Sequence, residues 1–290
     1  MTWLQVKVQT LSDIAEDLST LLTDIGALAV TLQDAGDQPL YEPSPELNPI
    51  WDDIIITGLF EPDVSEHYIL LTLTSKYPAL KPEIHVLEDQ EWERAWMQDF
   101  KPMQFGKRLW ILPSYQSESF SPHQVILDPG LAFGTGKHPT TALCLQWLDK
   151  NIFDQEIIID YGCGSGILAI AAIKLGAKKV YAIDHDPQAI IATNENAKQN
   201  GISNEQIVAL LPKEFHLLAQ ANILIANILA NPLIDLAETF ATLLAPQGRI
   251  VLSGILEEQT ASIIEAYQAW FTIVGIEQEA EWMRIEGAKN

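Results

Sequence analysis

The stretch Ile157-Ile158-Ile159-Asp160-Tyr161-Gly162-Cys163-Gly164-Ser165-Gly166 constrains the fold of this chain more than any other. A short apolar run enters a Gly-x-Gly-x-Gly turn and continues into a second apolar run, from Ile167 to Leu175, long enough for a helix. Strand, glycine loop and helix in that order are the opening unit of an open α/β sheet, whose ligands sit at the carboxyl ends of the strands. Glycine is needed because the chain must turn sharply and let a ligand approach its backbone with no Cβ in the way. The alternation continues to the end of the sequence. Strands are expected at 157–160, 180–184, 207–210, 223–227, 249–253, 271–276 and 282–285, mostly separated by helical stretches. Asp186-Pro187 and Asn231-Pro232 each offer an N-cap followed by proline at the first helical position. After Pro232, Leu233, Leu236, Ala237, Phe240, Leu243 and Leu244 form one apolar stripe. The expected architecture over residues 105–290 is a doubly wound, seven-stranded α/β sheet.

The first third reads differently. Leu4, Val6 and Val8 alternate with Trp3, Gln5 and Lys7, as in a half-buried strand. Leu11, Ile14, Ala15, Leu18, Leu21, Leu22 and Ile25 then recur at helical spacing, with Ser12 as a candidate N-cap and Gly26 as the stop. Strands are expected at 27–32, 53–59 and 83–87, with a proline-rich surface loop at 36–49 and a helix at 66–77. The β-α-β-β-α-β order predicts a ferredoxin-like α+β domain over residues 1–88. Between the two regions, Trp92, Trp96 and Phe100 recur on one helical face, so residues 89–104 read as a linker helix.

A length of 290 residues suits two domains. No apolar run reaches the roughly 20 residues of a membrane helix, and the N-terminus lacks the pattern of a signal peptide, so a cytoplasmic protein with no membrane association is expected. Cys144 and Cys163 stand in no metal-ligand spacing, so no metal is expected. The formal net charge is −22, and residues 1–88 hold 15 Asp/Glu against 3 Lys/Arg. Such a surface repels a phosphate backbone, opposing nucleic-acid binding, and suits a basic protein partner.

Eighteen residues past Gly166 stands Asp184, at the end of the next expected strand, where a carboxylate can accept both hydroxyls of a ribose. With Gly162 and Gly164, it marks a site for an adenosine-type ligand. Dinucleotide loops place a third glycine where this chain has Ile167, so the spacing fits S-adenosylmethionine better. The upstream segment from Leu127 to Thr141 is punctuated by glycines but fails the phosphate-loop register at Leu131 and His138. It is expected to cover the cofactor, with Phe133 packing on it and Thr141 supplying a hydroxyl. His138 is expected to make a structural hydrogen bond at a helix start. Past the fourth strand, Asn227 carries a carbonyl that can hold an amine N–H and aim its lone pair at a methyl carbon, catalysis by positioning. Asn231 is the expected cap of the following helix.

Phe133-Gly134-Thr135-Gly136, His138-Pro139-Thr140-Thr141, the segment from Asp160 to Ala171, Ala226-Asn227-Ile228-Leu229-Ala230 and Leu252-Ser253-Gly254-Ile255-Leu256 together resemble the PrmA family of ribosomal-protein methyltransferases, and the likeness extends to both ends of the chain. It implies trimethylation of lysine side chains and of the N-terminal amine of large-subunit ribosomal protein eleven. It also implies a substrate-holding first domain on a swinging linker, and cofactor contacts at Thr141, Gly162, Asp184 and Asn227. Lys137 departs from the pattern, standing where Thr or another small or polar residue is expected. Two other functions are compatible with parts of the sequence. A nucleic-acid base-amine methyltransferase also uses an Asn after strand four, but Ile228-Leu229 offer no ring to stack a flipped base. A non-catalytic assembly factor would bind without turnover.

Overall fold

A computed structural model describes residues 2–36, 38, 50–88, 101–116, 121–128, 136–152, 155–215 and 220–290. The chain divides into two compact units, 1–95 and 96–290. No helix among the described residues is long and apolar enough to cross a membrane.

In the first unit, strand β1 (Thr2–Leu11) leads through a short 3-10 turn into helix α1 (Ala15–Asp24), then β2 (Ala29–Asp34), β3 (Asp53–Phe60), α2 (Glu66–Lys76) and β4 (Glu83–Glu88). The sheet order is β2-β3-β1-β4, with every neighbouring pair antiparallel. This is the split-βαβ order expected from the sequence. Leu4, Val6 and Val8 point into a core with Leu18 and Leu22 of α1, Ile69 and Leu73 of α2, and Ile54, Ile56 and Phe60 of β3. The helix at 66–76 forms despite its strand-like residues because Ser65 caps it, accepting from the Tyr68 N–H. Ser12 makes no capping bond: the chain enters α1 through the 3-10 turn, and the cap position falls on Ile14, whose side chain accepts no hydrogen bond. Gly26 ends the helix as expected, at φ +107°.

The second unit opens with β5 (Met103–Phe105), β6 (Leu109–Leu112) and β7 (Gln124–Ile126), a small sheet. Met103 and Gln104, expected at the end of the linker helix, thus belong to a strand. Pro102 before them cannot donate a helical hydrogen bond, which ends any helix there. Residues 89–100, with Trp92, Trp96 and Phe100, lie outside the described residues. There follow α3 (Pro139–Asn151), β8 (Ile157–Tyr161), α4 (Ile167–Leu175), β9 (Lys179–Ile183), α5 (Pro187–Gln199), β10 (Ile207–Leu210), β11 (Ala221–Asn227), α6 (Ala230–Asp235), α7 (Ala237–Leu243), β12 (Leu244–Leu256), α8 (Thr260–Tyr267), β13 (Phe271–Glu279) and β14 (Trp282–Lys289). The seven-stranded sheet runs β10-β9-β8-β11-β12-β14-β13, with only β14 antiparallel to its neighbours. Its order reverses between β8 and β11, a switch point that opens a crevice above the strand ends.

In the second unit, too, a helix start differs from expectation. Asp186 caps α5, accepting from Gln188, but α6 begins at Ala230 with Leu229 in the cap position, which puts Asn231 inside the first turn. The stripe after Pro232 breaks at Leu236 into two short helices, and Leu244 already belongs to β12. Leu233, Ala237 and Phe240 still bury one face against the sheet.

Two polar clamps hold the second unit's helix α3 and strand β7. Asp149, 5% exposed, accepts from the backbone N–H groups of Lys107, Arg108 and Leu109 at 2.7, 2.9 and 3.0 Å, pinning the β5–β6 turn to α3. Asn200 imitates a neighbouring strand: its Oδ1 accepts from Ile126 N and its Nδ2 donates to Ile126 O, both at 2.7 Å. That holds β7 just before the expected cover loop.

Candidate functional site

A cavity of about 830 Å³ opens at the switch point. Thr141, Gly162, Gly164, Asp184 and Asn227 all line it, together with Asp128, Asp186, Glu195 and Ile228. Of the expected site residues, Phe133 alone lies outside the described ones, with the rest of 129–135.

The glycine loop is built by backbone geometry. Gly162, Gly164 and Gly166 have φ of +80°, +52° and +78°, in the left-handed region where a side chain is strained. A Cβ on Gly162 would also overlap the Ile228 side chain. Gly166 has no side chain to cap α4, and Asp160 does it instead, its Oδ2 accepting from Ala169 N at 3.0 Å. The carboxylate thus faces the positive end of the helix. Asp160 is fully buried, and its Oδ1 has no hydrogen-bond partner among the described residues. Burial pushes its carboxyl up to about 7, the Ala169 N–H pulls it back in part, and the nearby Asp184 charge adds to the rise.

Asp184 is fixed from both sides. Gly164 N donates to its Oδ2 at 2.9 Å and Asp186 N to its Oδ1 at 3.0 Å. Each oxygen keeps further lone-pair capacity, so a rigid carboxylate faces the cavity with room for donors. From α5, the fully buried Thr193 donates to Gly164 O at 3.1 Å, and Asn196 Nδ2 donates to Ser165 O at 2.8 Å. Neither residue was anticipated. Both sit on a helix whose sequence is largely polar, so nothing marked them as inward-facing.

Across the cavity, Asn227 ends β11. Its Nδ2 donates to Oγ1 of Thr141, which is 1% exposed, at 3.2 Å. With the amide nitrogen so engaged, the Oδ1 end is the acceptor presented to a ligand. His138 caps α3: its Nδ1 accepts from Thr140 N at 3.4 Å and lies 2.8 Å from Thr140 Oγ1. Its ring packs edge-on against Trp282 at 4.9 Å. Burial lowers the His138 pKa, with Glu281 opposing, so the ring serves as a neutral acceptor and helix cap. Lys137 is exposed, and Cys144 and Cys163 are buried free thiols.

These features meet the requirements of an adenosyl ligand with a cationic end. The cavity is of sufficient size, its backbone wall is bare of Cβ atoms at Gly162 and Gly164, and carboxylates dominate its charged lining. Comparison with known proteins agrees. The family model described as "Ribosomal protein L11 methyltransferase (PrmA)" matches residues 2–290. A ribosomal protein L11 methyltransferase of Marinomonas sp. (strain MWYL1) is 48% identical, with 100% of each chain covered. That of Acinetobacter baylyi is 46% identical over 100% of this chain and 99% of its own. Among solved structures, a ribosomal protein L11 methylase from Lactobacillus delbrueckii subsp. bulgaricus is 32% identical with a TM-score of 0.59, covering 66% of this chain and 100% of that one. The chain belongs to the ribosomal protein L11 methyltransferase (PrmA) family, enzymes whose cofactor is S-adenosylmethionine.

Proposed function

We propose that this enzyme transfers methyl groups to lysine side-chain amines and the N-terminal amine of ribosomal protein L11, up to the trimethylated state, in the cytoplasm. The observation that carries the reading is the Asn227 carboxamide, its nitrogen held by Thr141 and its oxygen left to accept from an amine at the cavity.

When bound, S-adenosylmethionine supplies an electrophilic methyl group on a sulfonium. Gly162 and Gly164 would line its path with bare backbone, Asp184 would accept from its ribose, and Thr141 and Asn227 would face its reactive end. Phe133 would cover it. Asn227 Oδ1 orients the substrate nitrogen by accepting one N–H, so the lone pair points into the cavity. A lysine amine has an ordinary pKa of about 10.4, and a desolvated site favours its neutral, nucleophilic form. Residues 1–88, with 15 carboxylates against 3 basic side chains, would hold the basic substrate, the segment ahead of Met103 would link, and the unit that β5 opens would catalyse. Base-amine methylation is disfavoured by the aliphatic Ile228-Leu229 and the −22 charge. No nucleic acid or membrane partner is proposed.

The test is incubation of purified enzyme with L11 and cofactor, followed by mass spectrometry of the product. Mass increments of one to three methyl groups at lysines and the N-terminus are expected. Unmodified L11, with cofactor bound, would instead support a non-catalytic assembly role.

A further inference from the structure

The segment Ser253-Gly254, singled out in the sequence, has no part in the cofactor site just described, yet it touches the acceptor side. Strand β12 pairs with β11 up to Asn227↔Ser253, so Gly254 is the first residue beyond the ladder, opposite Ile228. Gly254 is also the extra residue of a bulge, since β14 pairs Arg284 with Ser253 and Met283 with Ile255. Its φ is +84°. Ser253, fully buried, anchors the bulge by donating from Oγ to Met283 O at 3.0 Å.

What a Cβ at Gly254 would strike is informative: the carbonyl oxygen, carbonyl carbon and nitrogen of Ile228, all backbone atoms. A side chain could rotate away from such an overlap, whereas backbone can yield only by moving the turn. On the opposite side the Ile228 side chain lies over bare Gly162. Ile228 is therefore gripped between two left-handed glycines from different strand ends, and the residue joined to it is Asn227.

We propose that Gly254 is a positioning residue for methyl transfer: by lacking a Cβ it lets β12 press on the Ile228 backbone and so sets the Asn227 carboxamide. The role rests on the reading of Asn227 given above. It differs from a merely structural one because the segment it fixes ends at the acceptor residue, while Asp184 and the loop holding it lie across the cavity.

The test measures kcat on L11 by mass spectrometry, S-adenosylhomocysteine affinity by calorimetry and thermal unfolding, for wild type, Gly254→Ala, Asn227→Ala and the double variant. Gly254→Ala should lower kcat by about tenfold or more, since a displacement on the order of 1 Å suffices for such losses. S-adenosylhomocysteine affinity should stay within about threefold, as Asp184 and the backbone bonds that hold it lie across the cavity and are untouched, leaving only the Asn227 contact to weaken. In the Asn227→Ala background the same change should cost less than about twofold, because residues acting through one another are non-additive. Additive losses, or wild-type kcat in Gly254→Ala, would overturn the inference. Should Gly254→Ala fail to fold, Ser253→Ala loosens the bulge without adding an atom, and a fall in kcat of about threefold is expected; unchanged kcat there overturns the inference too. A readout free of turnover separates this idea from the substrate assignment. The Asn227 side-chain amide resonance, identified by its loss in Asn227→Ala, should move in Gly254→Ala or Ser253→Ala even if L11 is not methylated. An unmoved resonance would overturn the positioning role, whereas wild type inactive on L11 would overturn only the substrate.

Discussion

The two walls of the cavity are held in different ways. The glycine loop between β8 and α4 is tied by hydrogen bonds: Asp160 to Ala169 N, Asp184 to Gly164 N, Thr193 to Gly164 O and Asn196 to Ser165 O. Among the described residues, the turn at Asn227 has one side-chain bond, to Thr141; beyond the ladder pairing of Asn227 with Ser253 it is held by shape, with Ile228 wedged between Gly162 and Gly254. On the function proposed above, the contrast follows from what each wall would do. A cofactor site needs fixed donors and acceptors in a water-poor place, and buried polar groups stay satisfied only in a network. An acceptor site needs one lone pair at one position, which close packing secures without adding further polar groups that would compete for the amine.

If that division holds, variants of the first wall should act on cofactor binding and variants of the second on turnover. The largest effect is expected for Asp184→Ala, which removes a carboxylate that also anchors Gly164 and Asp186. Its S-adenosylhomocysteine affinity, read by calorimetry, should fall by about a hundredfold, as for loss of charge-assisted hydrogen bonds of 2 to 3 kcal/mol. Next is Asn227→Ala, with kcat down by about thirtyfold or more while that affinity changes only a few-fold. Equal losses in both assays would erase the distinction between the walls.

The sequence disclosed the two walls unequally. Strand positions were legible because buried parallel strands read as apolar runs, and the Gly-x-Gly-x-Gly turn with Asp184 in register located the cavity. Asn227 was legible from its place after the fourth strand. What supports these residues was not. Thr193 and Asn196 lie among Asn194, Glu195 and Gln199, and nothing local shows that two of these polar side chains face inward. Asp149 reads as one more helical carboxylate until α3 meets the turn at Lys107. The importance of Gly254 depends on a bulge, and hence on pairing with β14, about thirty residues away. Asn231 misled because Asn before Pro is a strong local cap signal, while the packing of Ala230 and Leu233 starts the helix earlier.

A smaller effect tests the cost of the hydrogen-bonded wall. The folded-state pKa of Asp160, raised to about 7 from 3.8, means the folded protein binds that proton more tightly than the unfolded chain does. Its contribution to stability is therefore greatest below the unfolded value and is lost as pH rises from about 4 through 7. Asp160→Asn keeps an acceptor for Ala169 and never ionises, so the melting temperature at pH 8 should exceed wild type by about 3 °C, or about 1 kcal/mol. The gain should vanish near pH 4. A gain independent of pH would mean that packing, and not charge, is responsible.

The smallest expected change removes a single hydroxyl, which reaches both Gly164 O and Cys163 Sγ. Thr193→Val keeps the shape of the side chain and removes the hydroxyl that donates to Gly164 O, leaving a loop carbonyl short of a partner. Stability should fall by about 1 kcal/mol by chemical denaturation, and S-adenosylhomocysteine affinity by about three- to fivefold, because the loosened Gly164 also donates to Asp184. At saturating cofactor, kcat should match wild type, since the Asn227 turn is gripped from β12 and Gly162 and takes no support from α5. A kcat that fell together with affinity would show that the hydrogen-bonded wall also sets the acceptor geometry, and the two walls would then be one mechanical unit.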